Sequence, residues 1–426
     1  PLVSGSFTSS LKSHFGDANG DGLADAIWIE YGSFGLYLYV ALNQGQGRFG
    51  PLILHRPLNH GSFTSTTTVH MGDANGDGLA DVIITEHGNS GLHVYTILSL
   101  GGGQYGSFIS NSPLPTHSGS VSTAATPFVL DINGDGFADA FWTEHGATGL
   151  KVYTSLGKGD GNFDLMETSS ITNSSSFGSS LKAHTGDLNG DGLVDIFWSE
   201  YSSSLYIYST LNKGDGTFSG FYSSRLSSPL SLDSSVKRLV GDTNGDGLAD
   251  LILTKHSSSG LVIYTSLSTG HGEFDPLITQ RPDNAGIYQN SLIEWAGDVT
   301  GDGLDDVIWV YELSDRLALL SILHEDKGNS RLLTSVTNGL GVATHFQYVP
   351  LTDGDVYKKA DSLVTYPADE GADGGSPAPY YQGPTYVVAK IESDNGIGGT
   401  NATSYQYEGM RIHKQGFGSL GFAKII

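Results

Sequence analysis

Gly16-Asp17-Ala18-Asn19-Gly20-Asp21-Gly22-Leu23-Ala24-Asp25 decides how this chain folds, because the sequence keeps returning to it. The same acidic loop starts again at Asp73, Asp131, Asp187, Asp242 and Asp298, at intervals of 55 to 58 residues. Copying extends outward from the loop. Gly5-Ser6-Phe7-Thr8-Ser9 reappears as Gly61-Ser62-Phe63-Thr64-Ser65, and Pro1-Leu2 as Pro57-Leu58 and Pro113-Leu114. A fixed period of this length marks an architecture of stacked, equivalent units, none of which buries its apolar faces alone.

Each unit carries four candidate strands. In the first, a short strand (Leu11 to Phe15) runs into the loop and a second (Ala26 to Glu30) leaves it. A third follows a glycine turn (Leu36 to Leu42), and a fourth follows a glycine-rich turn (Phe49 to Leu54). Third strands repeat an alternating pattern, as in Leu150-Lys151-Val152-Tyr153-Thr154-Ser155-Leu156, which suits a sheet whose two faces differ in burial. Four strands in some 56 residues, six times over, predict an all-β chain: a β-propeller of six four-stranded blades across residues 1–330, with a seventh blade left open. An open solenoid is the competing geometry, but its repeats are shorter and carry fewer strands. A strand-rich segment, residues 331–426, follows.

The loop pattern Asp-x-Asn-Gly-Asp-Gly-x-x-Asp sets oxygen donors at positions 1, 3, 5 and 9, with the carbonyl of position 7 as a further donor. Calcium takes six to eight oxygens, and alternate residues of a tight loop can turn inward together. The expected ligands are Asp17, Asn19, Asp21, Leu23 and Asp25; Asp73, Asn75, Asp77, Leu79 and Asp81; and Asp131, Asn133, Asp135, Phe137 and Asp139. The later copies give Asp187, Asn189, Asp191, Leu193 and Asp195; Asp242, Asn244, Asp246, Leu248 and Asp250; and Asp298, Thr300, Asp302, Leu304 and Asp306. Glycine at position 6 permits the sharp turn. An EF-hand starts alike but needs a bidentate Glu at position 12, where this chain has Trp28, Ile84, Trp142, Trp198, Leu253 and Trp309. Turn-forming Asp and Asn clusters are the plain alternative. Against it stands the retention of all three carboxylates in all six copies, since like charges so close repel without a cation among them. The sixth copy departs, with Thr300 in place of Asn and an added Asp305.

The formal charge of −24 speaks against nucleic acid or an anionic membrane as partner, since both need a basic surface. Six divalent cations would halve it. No run of 18 apolar residues offers a membrane span, and without cysteine there is no disulfide or thiolate chemistry. The sequence begins at Pro1 with no signal-peptide pattern, and reads as a piece of something longer.

The acidic loops and their spacing resemble the FG-GAP/VCBS repeats of integrin-like propellers over roughly residues 1–330. That resemblance implies calcium in the loop between the first two strands of each blade, in a structural and not a catalytic role.

Other repeated features have plainer readings. Glu30, Glu86, Glu144 and Glu200 recur at one place and are followed by Tyr31, His87, His145 and Tyr201, while the fifth copy has Lys255-His256. A catalytic carboxylate is normally unique, so copying suggests surface pairing or a blade-to-blade hydrogen bond. Trp28, Trp142, Trp198 and Trp309 read as core residues in preference to sugar platforms, and His14, His70 and His184 as strand residues. No nucleophile elbow, P-loop or dinucleotide fingerprint occurs, so the chain is not expected to be an enzyme.

Past residue 330, Arg331 to Gly341 and Thr344 to Thr352 predict two strands around an Asn338-Gly339 turn. Residues 367–384 read as a surface loop, and strands are expected again at Tyr386 to Ile391 and Ser404 to Gly409. Leu332 to Gly341, Tyr348-Val349-Pro350-Leu351-Thr352 and Tyr405-Gln406-Tyr407-Glu408-Gly409 running on to Phe422 resemble the Tc insecticidal toxin B component, SpvB-like proteins and Rhs/YD-repeat proteins. In that family a β-shell encloses a toxic cargo and the propeller docks and gates. The resemblance implies a secreted or extracellular bacterial protein whose partner is another toxin-complex subunit. A secreted lectin or adhesin, binding glycans in pockets between blades, is the second expectation.

Overall fold

The computed structural model describes residues 12–20, 24–32, 35–44, 48–55, 67–88, 91–111, 114, 121–146, 149–172, 177–178, 180–201, 204–227, 235–257, 260–281, 293–297, 304–312, 317–322, 332–339, 341–351, 354–358, 386–395, 398–412 and 419–426. These residues form strands and turns and no helix, so none is long and apolar enough to cross a membrane.

Sheet one holds β1 (Lys12–Gly16), β2 (Asp25–Gly32), β3 (Gly35–Ala41) and β4 (Ile53–His55). Sheet two holds β5 (Thr68–Gly72), β6 (Asp81–Gly88), β7 (Gly91–Gly101) and β8 (Gln104–Asn111). Sheet three holds β9 (Thr126–Leu130), β10 (Asp139–Gly146), β11 (Gly149–Ser155) and β12 (Glu167–Thr172). Sheet four holds β13 (Lys182–Gly186), β14 (Asp195–Tyr201), β15 (Leu205–Asn212) and β16 (Phe218–Leu226). Sheet five holds β17 (Lys237–Gly241), β18 (Asp250–Ser257), β19 (Gly260–Ser266) and β20 (Ile278–Gln280). Sheet six shows β21 (Ile293–Gly297), β22 (Asp306–Glu312) and β23 (Leu317–Ile322) among the described residues. Every sheet is an antiparallel meander in chain order, the blade unit of a β-propeller.

Strand alternation explains the stacking. Ile27, Ile29, Leu38 and Val40 of sheet one pack on Val82, Ile84, Tyr95 and Ile97 of sheet two. The intervening Ile83 and Val94 face sheet three, against Ala140, Trp142 and Tyr153. Phe141 and Val152 then meet Ile196 and Trp198. Phe197 and Ile207 meet Leu251 and Leu253, and Ile252 and Ile263 meet Val307 and Trp309. Second strands therefore read as unbroken apolar runs because both their faces are buried.

Fourth strands start later than the sequence suggests in odd-numbered sheets. Phe49, Phe163 and Phe274 make single bridges to Asn43, Gly157 and Ser268, and the ladder resumes only at β4, β12 and β20. Pro51 and Pro276, which lack a donor, lie in two of those gaps.

The C-terminal segment forms two further sheets, one ordered β24 (Ser335–Thr337), β25 (Ala343–Pro350), β27 (Tyr386–Asp394), β28 (Thr400–Ser404), the other β26 (Tyr357–Lys358), β29 (Tyr407–Ile412), β30 (Ser419–Ile425). The Asn-Gly dipeptide is not itself a two-residue turn. The hairpin loop runs from Asn338 to Val342, and its left-handed residue is Gly341 (φ +79°). The single strand expected over Ser404 to Gly409 is two: Tyr405 bonds back to Ala389, Gln406 pairs with Ile426, and the chain passes there from one sheet to the other. The loop expected at 367–384 lies outside the described residues.

Candidate functional site

The second acidic loop is described throughout. Asp73 at its head accepts hydrogen bonds on Oδ1 from the amides of Asn75 (3.3 Å), Gly76 (2.7 Å) and Asp77 (3.2 Å), and on Oδ2 from Gly78 (2.7 Å). Asn75 Oδ1 accepts from the Asp77 amide (3.1 Å) and Asn75 Nδ2 donates to Asp77 Oδ2 (3.0 Å), while Asp77 Oδ1 takes the Leu79 amide (2.8 Å). Positions 1, 3 and 5 thus wind round one another. Gly76 and Gly78 supply left-handed φ of +76° and +81°, so position 4 needs glycine as much as position 6. A Cβ on Gly76 would also strike Phe137 of the next loop.

The copies repeat this arrangement. Asp131 accepts from Gly134, Asp135 and Gly136; Asp187 from Asn189, Gly190 and Gly192; Asp242 from Asn244, Gly245, Asp246 and Gly247. In the first loop Asp17 accepts from Asn19 and Gly20, while Asp21 and Leu23 lie outside the described residues. So do Asp298, Thr300 and Asp302 of the sixth, where Leu304 and Asp306 are placed.

Position 9 does something the motif does not announce. Asp25, Asp81, Asp139, Asp195, Asp250 and Asp306 are fully buried. In the first five, Oδ2 accepts the amide of position 2 and Oδ1 accepts an amide at the end of the third strand. For Asp81 these are Ala74 (2.9 Å) and Ser99 (2.6 Å). The carboxylate ties its loop to the sheet, and the small or polar residue some eighteen places downstream was the sequence signal. Burial first, then the neighbouring loop carboxylates, push Asp81, Asp139 and Asp195 up to about 7 and Asp250 to about 6, against the lowering pull of those amides. Burial also raises Asp73 and Asp242.

Among the described residues no three His, Asp or Glu side chains gather as a metal cluster on their own. The donor set nonetheless suits a hard cation. It consists of oxygens only, and although Asp73 Oδ1 is fully engaged by three amides, Asp73 Oδ2 and both oxygens of Asp77 accept one hydrogen bond each and retain lone-pair capacity.

The remaining repeated residues hold the sheets together. Tyr39, Tyr153 and Tyr208 donate to Glu30 (3.1 Å), Glu144 (2.6 Å) and Glu200 (3.3 Å), joining second and third strands within one sheet and not blade to blade. In sheet five His256 instead contacts Glu294 of sheet six at 2.8 Å, both nearly buried. Trp142, Trp198 and Trp309 are core residues, whereas Trp28, expected with them, is only half-buried. His14, His70 and His184 sit in first strands, where burial lowers His70 to about 4 and His184 to about 3; His184 packs 5.0 Å from Phe197. Arg238, reaching from sheet five, donates to the carbonyls of Ser199 and Ser180 and lies 4.0 Å over the Tyr201 ring.

No curated protein matches the chain. Among solved structures, a lectin from Agrocybe aegerita that recognises non-reducing terminal N-acetylglucosamine aligns with a TM-score of 0.56 at 21% identity, over 76% of this chain and 82% of its own. TcdB2-TccC3-TEV aligns at 0.43 and 15% identity, over 95% of this chain, which spans 21% of that one. The rhamnogalacturonan lyase YesW aligns at 0.32 and 15% identity, over 74% and 63%. The lectin's likeness concerns the fold. The FG-GAP-like repeat profile matches residues 17–84, 73–142, 131–198, 187–253 and 242–309, each span running from one acidic loop to the second strand after the next. With more than half of its length matched, the chain belongs to the FG-GAP-like repeat family.

Proposed function

We propose that this chain is a non-catalytic docking module, held together by calcium in its six acidic loops and joined through its C-terminal sheets to the shell of a Tc- or Rhs-like toxin assembly outside the cell. The observation that carries the docking reading is the sheet running from β24 to β28. Both of its edge strands, Ser335–Thr337 and Thr400–Ser404, expose every residue. Such edges accept added strands. The oxygen-only loops support calcium, and the millimolar calcium outside cells suits sites of modest affinity. The test is binding of the immobilised chain to a purified Tc- or Rhs-class shell protein, with and without EGTA. Calcium-dependent retention supports the reading, and no retention in either buffer counts against it.

Glycan binding is the second reading. The lectin alignment favours it, as does an aromatic group on sheet four. There Tyr206 and Tyr208 lie with ring centroids 6.3 Å apart, Phe221 lies 5.8 Å from Tyr208 and is 41% exposed, and Arg225 lies 5.8 Å over Tyr206. A glycan array would show calcium-dependent retention of defined sugars if this reading holds.

A further inference from the structure

The acidic loops of successive sheets touch. The carbonyl of position 1 in one loop accepts the amide of position 8 in the next: Asp17 from Ala80, Asp73 from Ala138 and Asp187 from Ala249, each at 2.7 Å, and Asp242 from Asp305 at 2.6 Å. These contacts need a glycine just before the loop. A Cβ on Gly16 would come within 2.5 Å of the Ala80 methyl, one on Gly72 within 2.8 Å of Ala138, and Gly186 is tighter still against Ala249. At Gly241 the space is filled by Asp305, whose Oδ2 accepts the Asp242 amide at 2.8 Å. The added carboxylate of the sixth copy therefore completes a junction.

Among the described residues, one junction between successive loops lacks this link. Between loops three and four the glycine is replaced by Leu130 and the alanine by Val194, and no bond joins the Asp131 carbonyl to the Val194 amide. Asn212 Nδ2 spans this junction, donating to the carbonyls of Ile132 (2.5 Å) and Val194 (2.9 Å), as the Ser99 and Ser268 hydroxyls donate to Ala18 and Leu188 at linked junctions. The first strands tell the same story. β1 lies beside β5, β5 beside β9, β13 beside β17 and β17 beside β21, whereas β9 and β13 make no comparable approach, although the central strands of sheets three and four pack together. A Cβ at residue 130 and a branched side chain at 194 account for both observations.

We propose that calcium loading is coupled between the acidic loops of neighbouring sheets, and that the coupling is interrupted between loops three and four, at Leu130 and Val194. The position-1 residue that would hold an ion in one loop bonds through its own carbonyl to position 8 of the next, which lies between that loop's position-7 carbonyl and position-9 carboxylate. An ion that orders one loop so lowers the ordering cost of its neighbour, which is positive coupling by pre-organisation. The inference rests on the calcium reading, and the test separates the two.

Calcium uptake by the full chain is measured by equilibrium dialysis with elemental analysis, and the isotherm by titration calorimetry. Ions bound per chain judge the sites, and the shape of the isotherm judges the linkage. Cooperative uptake is expected in the unmodified chain. Leu130→Gly with Val194→Ala should steepen it, and Gly72→Ala should flatten it. If Gly72→Ala fails to fold, the double variant carries the test, since it installs the glycine–alanine pair of three linked junctions. Ions bound along a simple hyperbola would overturn the linkage and leave the sites standing. A double variant whose isotherm is no steeper would overturn the placing of the break. No uptake at all would overturn both readings.

Discussion

The six repeated sheets are antiparallel throughout, whereas the two C-terminal sheets include one parallel pair, β26 with β29, and the two regions are stabilised differently. In the repeats both faces of each central sheet are buried, and every position-9 aspartate is sealed inside. The C-terminal sheets share one small core of Leu351, Tyr357, Val387 and Met410. Copying a unit lets each interface be the previous one repeated, so burial accumulates along the stack. A segment without copies has only its own strands to cover its faces.

The largest expected effect separates the regions by metal. At ~1 mM calcium and site dissociation constants of about 0.1 mM, each ion contributes roughly 1.4 kcal/mol, so six contribute ~8 kcal/mol, on the scale of a domain's net stability. Excess EGTA should lower the melting temperature of the repeats by many degrees and speed amide exchange in β1 to β23. Exchange in β24 to β30 should change little. An unchanged melting curve after verified metal removal would break the comparison.

A core truncation sharpens it. Trp198 is 1% exposed where sheets three and four meet, and replacing it with alanine leaves a large cavity. Trp198→Ala should cost about 3–5 kcal/mol in denaturant unfolding. A loss under 1 kcal/mol would mean that interface is loosely packed.

Acid gives a smaller difference. Burial holds His70 at about 4 and His184 at about 3, below the unfolded value near 6.5. Between pH 6.5 and those values the unfolded chain binds more protons than the folded one, so stability falls as pH falls. The histidines should together remove a few kcal/mol by pH 4. The raised loop carboxylates act in the opposite direction when no cation is present, so the comparison is made at saturating calcium against His70→Gln with His184→Gln. The double variant should show the shallower pH slope, and equal slopes would mean that these rings are protonated in the folded protein.

What could be read from sequence tracks this contrast. Copying made the strands and the loop register legible, because each expectation could be checked against other copies, and it marked the core tryptophans of sheets three, four and six, though Trp28 at the same position is only half-buried. Leu130 was legible only as an exception to the glycine before the other loops, and its meaning needed the contact with the next sheet. The dual duty of Asp81 was hidden for the same reason: its amide partners lie in the loop and at Ser99, a register set by folding. In the C-terminal segment Ser404 to Gly409 alternates like one strand. Only the Gln406–Ile426 pairing, a contact with the far end of the segment, splits it.

The smallest effect on stability falls at the exposed edge. Ala402 lies in β28, where all five residues are exposed and, among the described residues, only β27 pairs with the strand. A charge placed there buries nothing and breaks no ladder bond, so Ala402→Lys should change unfolding free energy by no more than about 0.5 kcal/mol. Its consequence should appear in association, because an edge is a template for another strand and lysine makes it a poor one. Sedimentation velocity at rising concentration should show the parent chain self-associating and the variant remaining monomeric, while a lysine at an exposed position of sheet two, such as Gln104→Lys, leaves association unchanged. Equal behaviour of all three chains would mean that the C-terminal edge is no more adhesive than the repeats, and the strand-addition argument for docking would lose its basis.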